Sequence, residues 1–133
     1  MSSNQLTTIK SRRTTSEVAA RFHELAQQNK WFEIQDELFA ESVRSVEPPT
    51  ATRLANAEGK AAVRRKGEAW VARVKALHSI YTTEPVVGAN HFTVGWGNDI
   101  TVEGHGRIQM NQINVYEVRD GQIVLEQFFY SGG

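Results

Sequence analysis

Glu47 ends a short predicted strand and stands directly before two prolines in the stretch SVRSVEPPTA. A residue before proline is held in extended backbone geometry, so the direction of the Glu47 side chain is set locally. Pro48 and Pro49 carry no N–H, which removes the nearest backbone hydrogen-bond donors. A carboxylate with few donors accepts a proton more readily once it is buried. The motif therefore indicates either a general base that faces a cavity or a solvated charge in a surface loop.

A long predicted strand, RIQMNQINVYEV, carries polar side chains on both faces. Strand periodicity places six alternate residues on one face: Ile108, Met110, Gln112, Asn114, Tyr116 and Val118. A mixed face of this kind predicts a strand that lines a cavity, with Gln112, Asn114 and Tyr116 turned towards a ligand. A partly solvated sheet, or a bulge that switches the faces midway, explains the pattern equally well.

Asp99, in GWGNDIT, is an acid in the middle of the preceding predicted strand. Acidic residues are depleted in strands, so Asp99 is a candidate catalytic group facing the same cavity. A turn or bulge around Gly97 and Asn98 is the alternative explanation.

Composition excludes several classes of function. The chain has 133 residues, a length typical of one domain, and it contains no cysteine for disulfide or thiol chemistry. Fifteen basic side chains balance fifteen acidic ones, which argues against a nucleic-acid or membrane partner. No apolar run suits a secretory signal or a membrane span, so we expect a cytoplasmic protein.

Metal and cofactor motifs are absent from the sequence. The four histidines have no metal-binding spacing such as HxH or HExxH: His23, His78, His91 and His105. There is also no P-loop, dinucleotide fingerprint or nucleophile elbow. We therefore expect neither a metal nor a cofactor.

The first half of the chain predicts three helices. Thr14 and Glu17 form a capping box ahead of an apolar stripe, and Asn29 is expected to end that helix. A short second helix carries Trp31, Ile34 and Leu38. The third helix is expected to carry an apolar stripe of Val63, Gly67, Trp70, Val74 and Leu77, with close packing at Gly67.

From residue 79 onwards the period changes to that of strands. Four segments rich in β-branched and aromatic residues are separated by Gly-containing turns, which predicts an antiparallel meander: IYTTEPVV, HFTVGWGNDITV, RIQMNQINVYEV and QIVLEQFFY. Helices followed by strands predict an α+β fold. We expect residues 1–13 to be a disordered tail and residues 14–133 to be a single domain.

This order of elements resembles the nuclear-transport-factor-2-like superfamily. Within it, EGKAAVRRKGEAW and INVYEVRDGQIVLEQFFY resemble the long helix and the last hairpin of SnoaL-like (polyketide-cyclase-like) domains. The resemblance implies a cone-shaped, curved antiparallel sheet covered by three N-terminal helices. It also implies that the outer face of the sheet packs against a second copy in a homodimer, so the aromatics of EQFFY are expected either in that interface or in the core.

The ketosteroid-isomerase branch of this superfamily gives Glu47 a possible role. Its general base is an acid before a proline at the end of the corresponding strand, which Glu47-Pro48 resembles. One oxyanion donor of that branch is a helix tyrosine, where this chain has Phe22, and the other is an acid on the long strand, where it has Asn114. The resemblance thus implies at most half of an oxyanion hole.

Two other branches fit less well. SnoaL-type cyclases use an aspartate on the last strand, and the corresponding stretch, Gln127-Phe128-Phe129, has no carboxylate. Limonene-epoxide-hydrolase-like proteins use an Arg-x-Asp pair, which this sequence lacks.

The resemblance and the residues together predict an apolar pocket for a small apolar or carbonyl-containing ligand. The hypothesis is a cofactor-free isomerase or cyclase that transfers protons, with Glu47, Asn114 and Asp99 as catalytic candidates. The expected substrate-binding residues are Phe22, Trp70, Trp96, Gln112 and Tyr116. The alternative is a non-catalytic ligand-binding or dimeric interaction domain.

Overall fold

The computed structural model describes residues 12–131, in which three helices cover one curved, unclosed sheet of seven strands. The helices are α1 (Thr15–Ala26), α2 (Trp31–Leu38) and α3 (Lys60–Arg73). The strands are β1 (Phe39–Val46), β2 (Ala57–Glu58), β3 (Val74–Thr82), β4 (Val86–Gly88), β5 (His91–Val102), β6 (Gly106–Arg119) and β7 (Gln122–Phe129). Within this part of the chain no helix is long and apolar enough to cross a membrane. The α+β fold expected from the sequence is confirmed.

The sheet runs in the order β2-β1-β7-β6-β5-β3, and β4 also pairs with β5. Every pairing is antiparallel except that of β1 with β7, so the sheet is mixed, whereas a purely antiparallel one was expected. The first strand of the expected meander is divided into β3 and β4, which pair with different parts of β5. The division falls at the TEP stretch, where Pro85 cannot donate to the ladder.

Helix α1 begins as its capping box predicts. The Thr14 side chain accepts a hydrogen bond from the Glu17 backbone N–H at 3.1 Å, and Glu17 accepts one from the Thr14 backbone N–H at 2.8 Å. The predicted tail, residues 1–13, lies outside the described residues apart from Arg12 and Arg13. Arg13 forms an ion pair with Glu37 at 3.0 Å, so the ordered fold includes it.

Helix α3 is shorter than its apolar stripe predicts, because it ends at Arg73 and the chain continues as β3. Val74 and Leu77 pair with Val102 and Ile100 of β5. Sheet hydrogen bonding therefore outweighs the helical spacing of these two residues. The expected close packing at Gly67 is present, since an added Cβ would lie 3.1 Å from Cε1 of Phe32 on α2.

The hydrophobic core occupies one end of the inner face of the sheet. There the ring of Phe22 lies 5.3 Å from that of Phe92 and 4.7 Å from that of Tyr116, measured between centroids. Other fully buried members are Val18, Ile34, Leu38, Val43, Val63 and Ile123. Along β6 the apolar packing gives way to polar side chains beyond Tyr116, which is where a cavity begins.

We predict that Thr14→Ala destabilises the protein by ~1 kcal/mol, because the backbone N–H of Glu17 at the start of α1 loses its partner. Urea unfolding followed by circular dichroism measures the change. Ser16→Ala, two positions into the same helix, is the matched control and should leave stability nearly unchanged. Equal effects of the two substitutions would contradict a stabilising capping box.

Candidate active site

A cavity of about 570 Å³ lies between helices α2 and α3 and the inner face of the sheet. Its walls are mainly apolar, and all three tryptophans of the chain line it: Trp31, Trp70 and Trp96. Polar groups enter it from β1, α3, β6 and β7. A mostly apolar cavity with a few convergent polar groups is the usual form of a small-molecule site.

Glu47 lies in the wall of this cavity and is only 5 % exposed. Its Oε2 is 2.5 Å from Nζ of Lys66 on α3, and its Oε1 accepts a hydrogen bond from the Tyr130 hydroxyl, also at 2.5 Å. Its backbone N–H donates to Oδ1 of Asn56 at 2.7 Å. Burial and the adjacent Glu47 carboxylate raise the pKa of Tyr130, so Tyr130 remains a donor. Both carboxylate oxygens of Glu47 are therefore already in use.

Lys66 links Glu47 to a second acid. Its Nζ also donates to Oγ of Ser45 at 2.9 Å, and Ser45 is fully buried. Ser45 is the register partner of Glu126 in the parallel pairing of β1 with β7. The ammonium of Lys66 thus contacts the Glu47 carboxylate and the Ser45 hydroxyl, and Glu126 stands beside Ser45 on the neighbouring strand.

Glu126 faces the cavity from β7, and its pKa is raised to about 7. Burial is the main cause, and the negative charge of Glu47 acts in the same direction. Hydrogen bonding to Ser45 and the positive charge of Lys66 act in the opposite direction. A carboxyl group in this range exchanges protons readily at neutral pH, as a general acid or base must.

Three polar side chains of β6 form a ladder along the cavity wall. Nε2 of Gln112 donates to Oδ1 of Asn114 at 2.7 Å, and Nδ2 of Asn114 donates to the Tyr116 hydroxyl oxygen at 3.2 Å. Burial, and secondarily the charge of Glu126, raise the pKa of Tyr116 well above its usual range. Tyr116 therefore keeps its proton, and its O–H is available as a donor.

The structure brings most of the residues singled out in the sequence to one place. Six of the eight line the cavity: Glu47, Trp70, Trp96, Gln112, Asn114 and Tyr116. Phe22 does not, because it packs in the core against the ring of Tyr116. Within residues 12–131, no three metal-binding side chains are grouped closely enough to hold an ion.

Asp99 lies on the outer face of the sheet, contrary to its expected place in the cavity. Asn98 and Ile100 on either side of it line the cavity, so strand alternation turns Asp99 away. Both of its oxygens accept hydrogen bonds at 2.9 Å from Arg107. Hydrogen bonding to Arg107 lowers the pKa of Asp99. Its unusual position in a strand is explained by this ion pair.

Sequence reasoning missed Glu126, Lys66, Ser45 and Tyr130. The last strand was expected to carry no carboxylate at residues 127–129, but Glu126 stands one residue earlier and faces inwards. The available signal was an acid inside the aromatic segment EQFFY, on the same face as Phe128. Lys66 resembled the solvated basic residues around it on α3.

We predict that the protonated form of Glu126 makes stability depend on pH. The folded state holds this proton up to about pH 7 while the unfolded state releases it near 4.5, so stability falls as pH rises between these values. Glu126→Gln removes the penalty and should gain up to ~3 kcal/mol relative to wild type between pH 4.5 and 8. Urea unfolding at pH 4.5 and 8 measures it.

The matched control is Glu117→Gln on the outer face of β6, where Glu117 pairs with Arg119 at 2.8 Å. This control should keep the wild-type fall in stability between pH 4.5 and 8. Equal pH dependence in wild type and Glu126→Gln would contradict a neutral, buried Glu126.

Known structures with the same fold are numerous, and three illustrate the range. A protein from Mesorhizobium loti, proposed to be a SnoaL-like polyketide cyclase, is 28% identical, with a TM-score of 0.83 over 89% of this chain and 100% of that one. A proposed isomerase from Bacillus subtilis is 22% identical, with a TM-score of 0.62 over 91% and 86% of the two chains. A protein with a ketosteroid-isomerase-like fold from Catenulispora acidiphila, in complex with trimethylamine, is 17% identical, with a TM-score of 0.61 over 74% and 72% of the two chains.

Sequence comparison assigns the family directly. No curated protein matches the chain significantly. The family model of the SnoaL-like domain matches residues 13–130, nearly the whole described chain. Solved neighbours described as nuclear-transport-factor-2-like share the fold of this chain, with TM-scores of 0.66 and 0.74. The chain belongs to the SnoaL-like domain family.

Proposed function

We propose that this protein binds a small, largely apolar carbonyl compound and catalyses a cofactor-free proton transfer on it, as an isomerase or cyclase does. The observation that carries the proposal is Glu126, a carboxyl group with a pKa of about 7 that faces an apolar cavity. The same cavity presents a protonated phenol, Tyr116, from the neighbouring strand. Tyr116 and Glu126 are register partners, so a base and an acid stand side by side.

In the proposed reaction, ionised Glu126 removes a proton from the carbon next to the carbonyl group. The electron pair of the broken C–H bond moves onto the carbonyl oxygen and forms an enolate. The Tyr116 O–H donates a hydrogen bond to that oxygen, supported by the bond that Tyr116 accepts from Asn114. Glu126 then returns its proton to another carbon of the enolate, which completes an isomerisation without a cofactor.

This assignment changes the roles expected from the sequence. Glu47 was expected to be the base, but Lys66 and Tyr130 occupy both of its oxygens. We assign Glu47 to the polar wall, as the counter-ion of Lys66. Asn114 was expected to contact the enolate, and it now supports Tyr116, the donor. Gln112, Trp70 and Trp96 keep their expected places in the binding surface.

We predict that the protein exchanges the α-hydrogens of 2-tetralone, an enolisable bicyclic ketone, for deuterium in D2O. Proton NMR measures the rate, which should rise with pH through about 7 as Glu126 ionises. Glu126→Gln should reduce the exchange ~10²–10⁴-fold because the base is lost. Tyr116→Phe should reduce it ~10²–10³-fold because the oxyanion donor is lost.

Glu117→Gln, the same chemical change on the outer face, is the control and should retain wild-type exchange. Binding is measured separately with 2-naphthol, an aromatic analogue of the enol, by calorimetry. Binding of 2-naphthol without exchange of 2-tetralone would contradict the catalytic proposal. It would support the alternative, a non-catalytic binding module, which the full occupation of the Glu47 oxygens favours.

We also propose that the outer face of the sheet pairs with a second copy of the chain. Ile113 and Phe129 are register partners on that face and are 48% and 50% exposed. Tyr81, 51% exposed, stands on the same face beyond Gly95 and Gly97. Exposed apolar side chains gathered on one face are typical of an association surface. The balanced net charge of the chain offers no repulsion between copies.

We predict a homodimer by size-exclusion chromatography with light scattering, converted to a monomer by the double substitution Ile113→Lys and Phe129→Lys. The charges would be buried without partners in the dimer. Val71→Lys, at a residue 54% exposed on helix α3, which covers the inner face of the sheet, is the control and should leave the dimer intact. A monomeric wild type at micromolar concentration would overturn the assignment.

A further inference from the structure

Ser45 is a buried polar side chain with no part in the proton transfer as proposed. It is 0% exposed, lies near the end of β1, and stands between the ammonium of Lys66 and the carboxyl group of Glu126. A hydroxyl in such a place must be satisfied on both its donor and its acceptor side. The hydrogen bond that the Ser45 hydroxyl donates therefore affects the chemistry of the group that accepts it.

The direction of the Ser45 hydroxyl follows from its partners. Lys66 is an ammonium with donors only, so Ser45 Oγ must accept in their contact of 2.9 Å. The remaining Ser45 O–H is then free to donate, and its register partner Glu126 presents a carboxylate on the adjacent strand. Hydrogen bonding from Ser45 favours the ionised form of Glu126.

Glu126 is also surrounded by titratable groups from neighbouring elements. The titratable groups facing it are Glu47 from the end of β1, Lys66 from α3 and Tyr116 from β6. The helix α2 and strand β3 contribute Glu33 and Lys75 to the cavity lining. Lys66 pairs directly with Glu47 and acts on Glu126 through its charge, and Ser45 connects the Glu47–Lys66 pair to Glu126.

We propose that Ser45 is a positioning residue that orients the base Glu126 and couples it to the Glu47–Lys66 ion pair. The inference rests on the proposed function, since it concerns the base of that reaction. Ser45 touches no substrate in this role. It sets the pH at which the base becomes active, and it holds one oxygen of Glu126 so that the other faces the cavity.

The coupling predicts that two substitutions move the Glu126 midpoint upwards and that a third moves it downwards. Ser45→Ala removes a donor to the ionised carboxylate and should move the titration midpoint of Glu126 upwards by about one pH unit. Lys66→Met removes the shared positive charge and should also move it upwards. Glu47→Gln removes a negative charge and releases Lys66 to pair with Glu126, so it should move the midpoint downwards.

The midpoint is measured directly by carbon-13 NMR of the glutamate side-chain carboxyls between pH 4 and 9. The Glu126 resonance is identified by its loss in Glu126→Gln. Ser45→Thr, which keeps the hydroxyl, should restore a midpoint near that of wild type. Ser79→Ala, an exposed residue of β3, is the matched control and should leave the midpoint unchanged.

The pH profile of 2-tetralone exchange provides the second readout. In Ser45→Ala its inflection should move upwards by the same amount as the NMR midpoint. An unchanged Glu126 midpoint in Ser45→Ala overturns the coupling, whatever the exchange rate. Absence of exchange in the wild type overturns the proposed function and the catalytic role of Ser45, while a shifted midpoint would still establish the coupling itself.

Discussion

The parallel pairing of β1 with β7 is the contact on which the site depends. It joins the strand that follows α1 and α2 to the last strand of the sheet, with Arg44, Ser45 and Val46 opposite Leu125, Glu126 and Gln127. This pairing brings the end of β1 beside the inner face of β7. Without this pairing, Glu47 and Glu126 would lie in separate parts of the fold, and Lys66 of α3 could not lie near both.

Charges gathered in a cavity wall are tolerated only when each has partners, because removing an ion from water costs several kcal/mol. Here Lys66 and Tyr130 both donate to the Glu47 carboxylate, and Ser45, which accepts from Lys66, lies beside Glu126. Both oxygens of Glu47 accept hydrogen bonds. The pKa of Glu126, in contrast, is raised to about 7. Two chemically identical side chains thus acquire different capacities from their surroundings.

The sequence was informative where a local rule determines the outcome. The capping box at Thr14 predicted the start of α1, and strand alternation predicted that Gln112, Asn114 and Tyr116 share a face. Strand alternation also places Asp99 on the outer face, because its neighbour Asn98 faces the cavity. Leu77 was wrongly predicted to be helical. Its helical spacing continues beyond Arg73, where the backbone pairs with β5 instead.

The sequence by itself determined the class of fold and the family, because both follow from the order of helix and strand patterns along the chain. It also determined the extended geometry before Pro48, a steric preference between neighbouring residues. Only the tertiary structure decided which acid has a pKa near neutrality. Tyr130 and Glu47 are 83 positions apart in the chain, yet their contact occupies one oxygen of the Glu47 carboxylate. Proton affinity depends on burial and on charges within a few ångströms in space, and no spacing along the sequence encodes those distances.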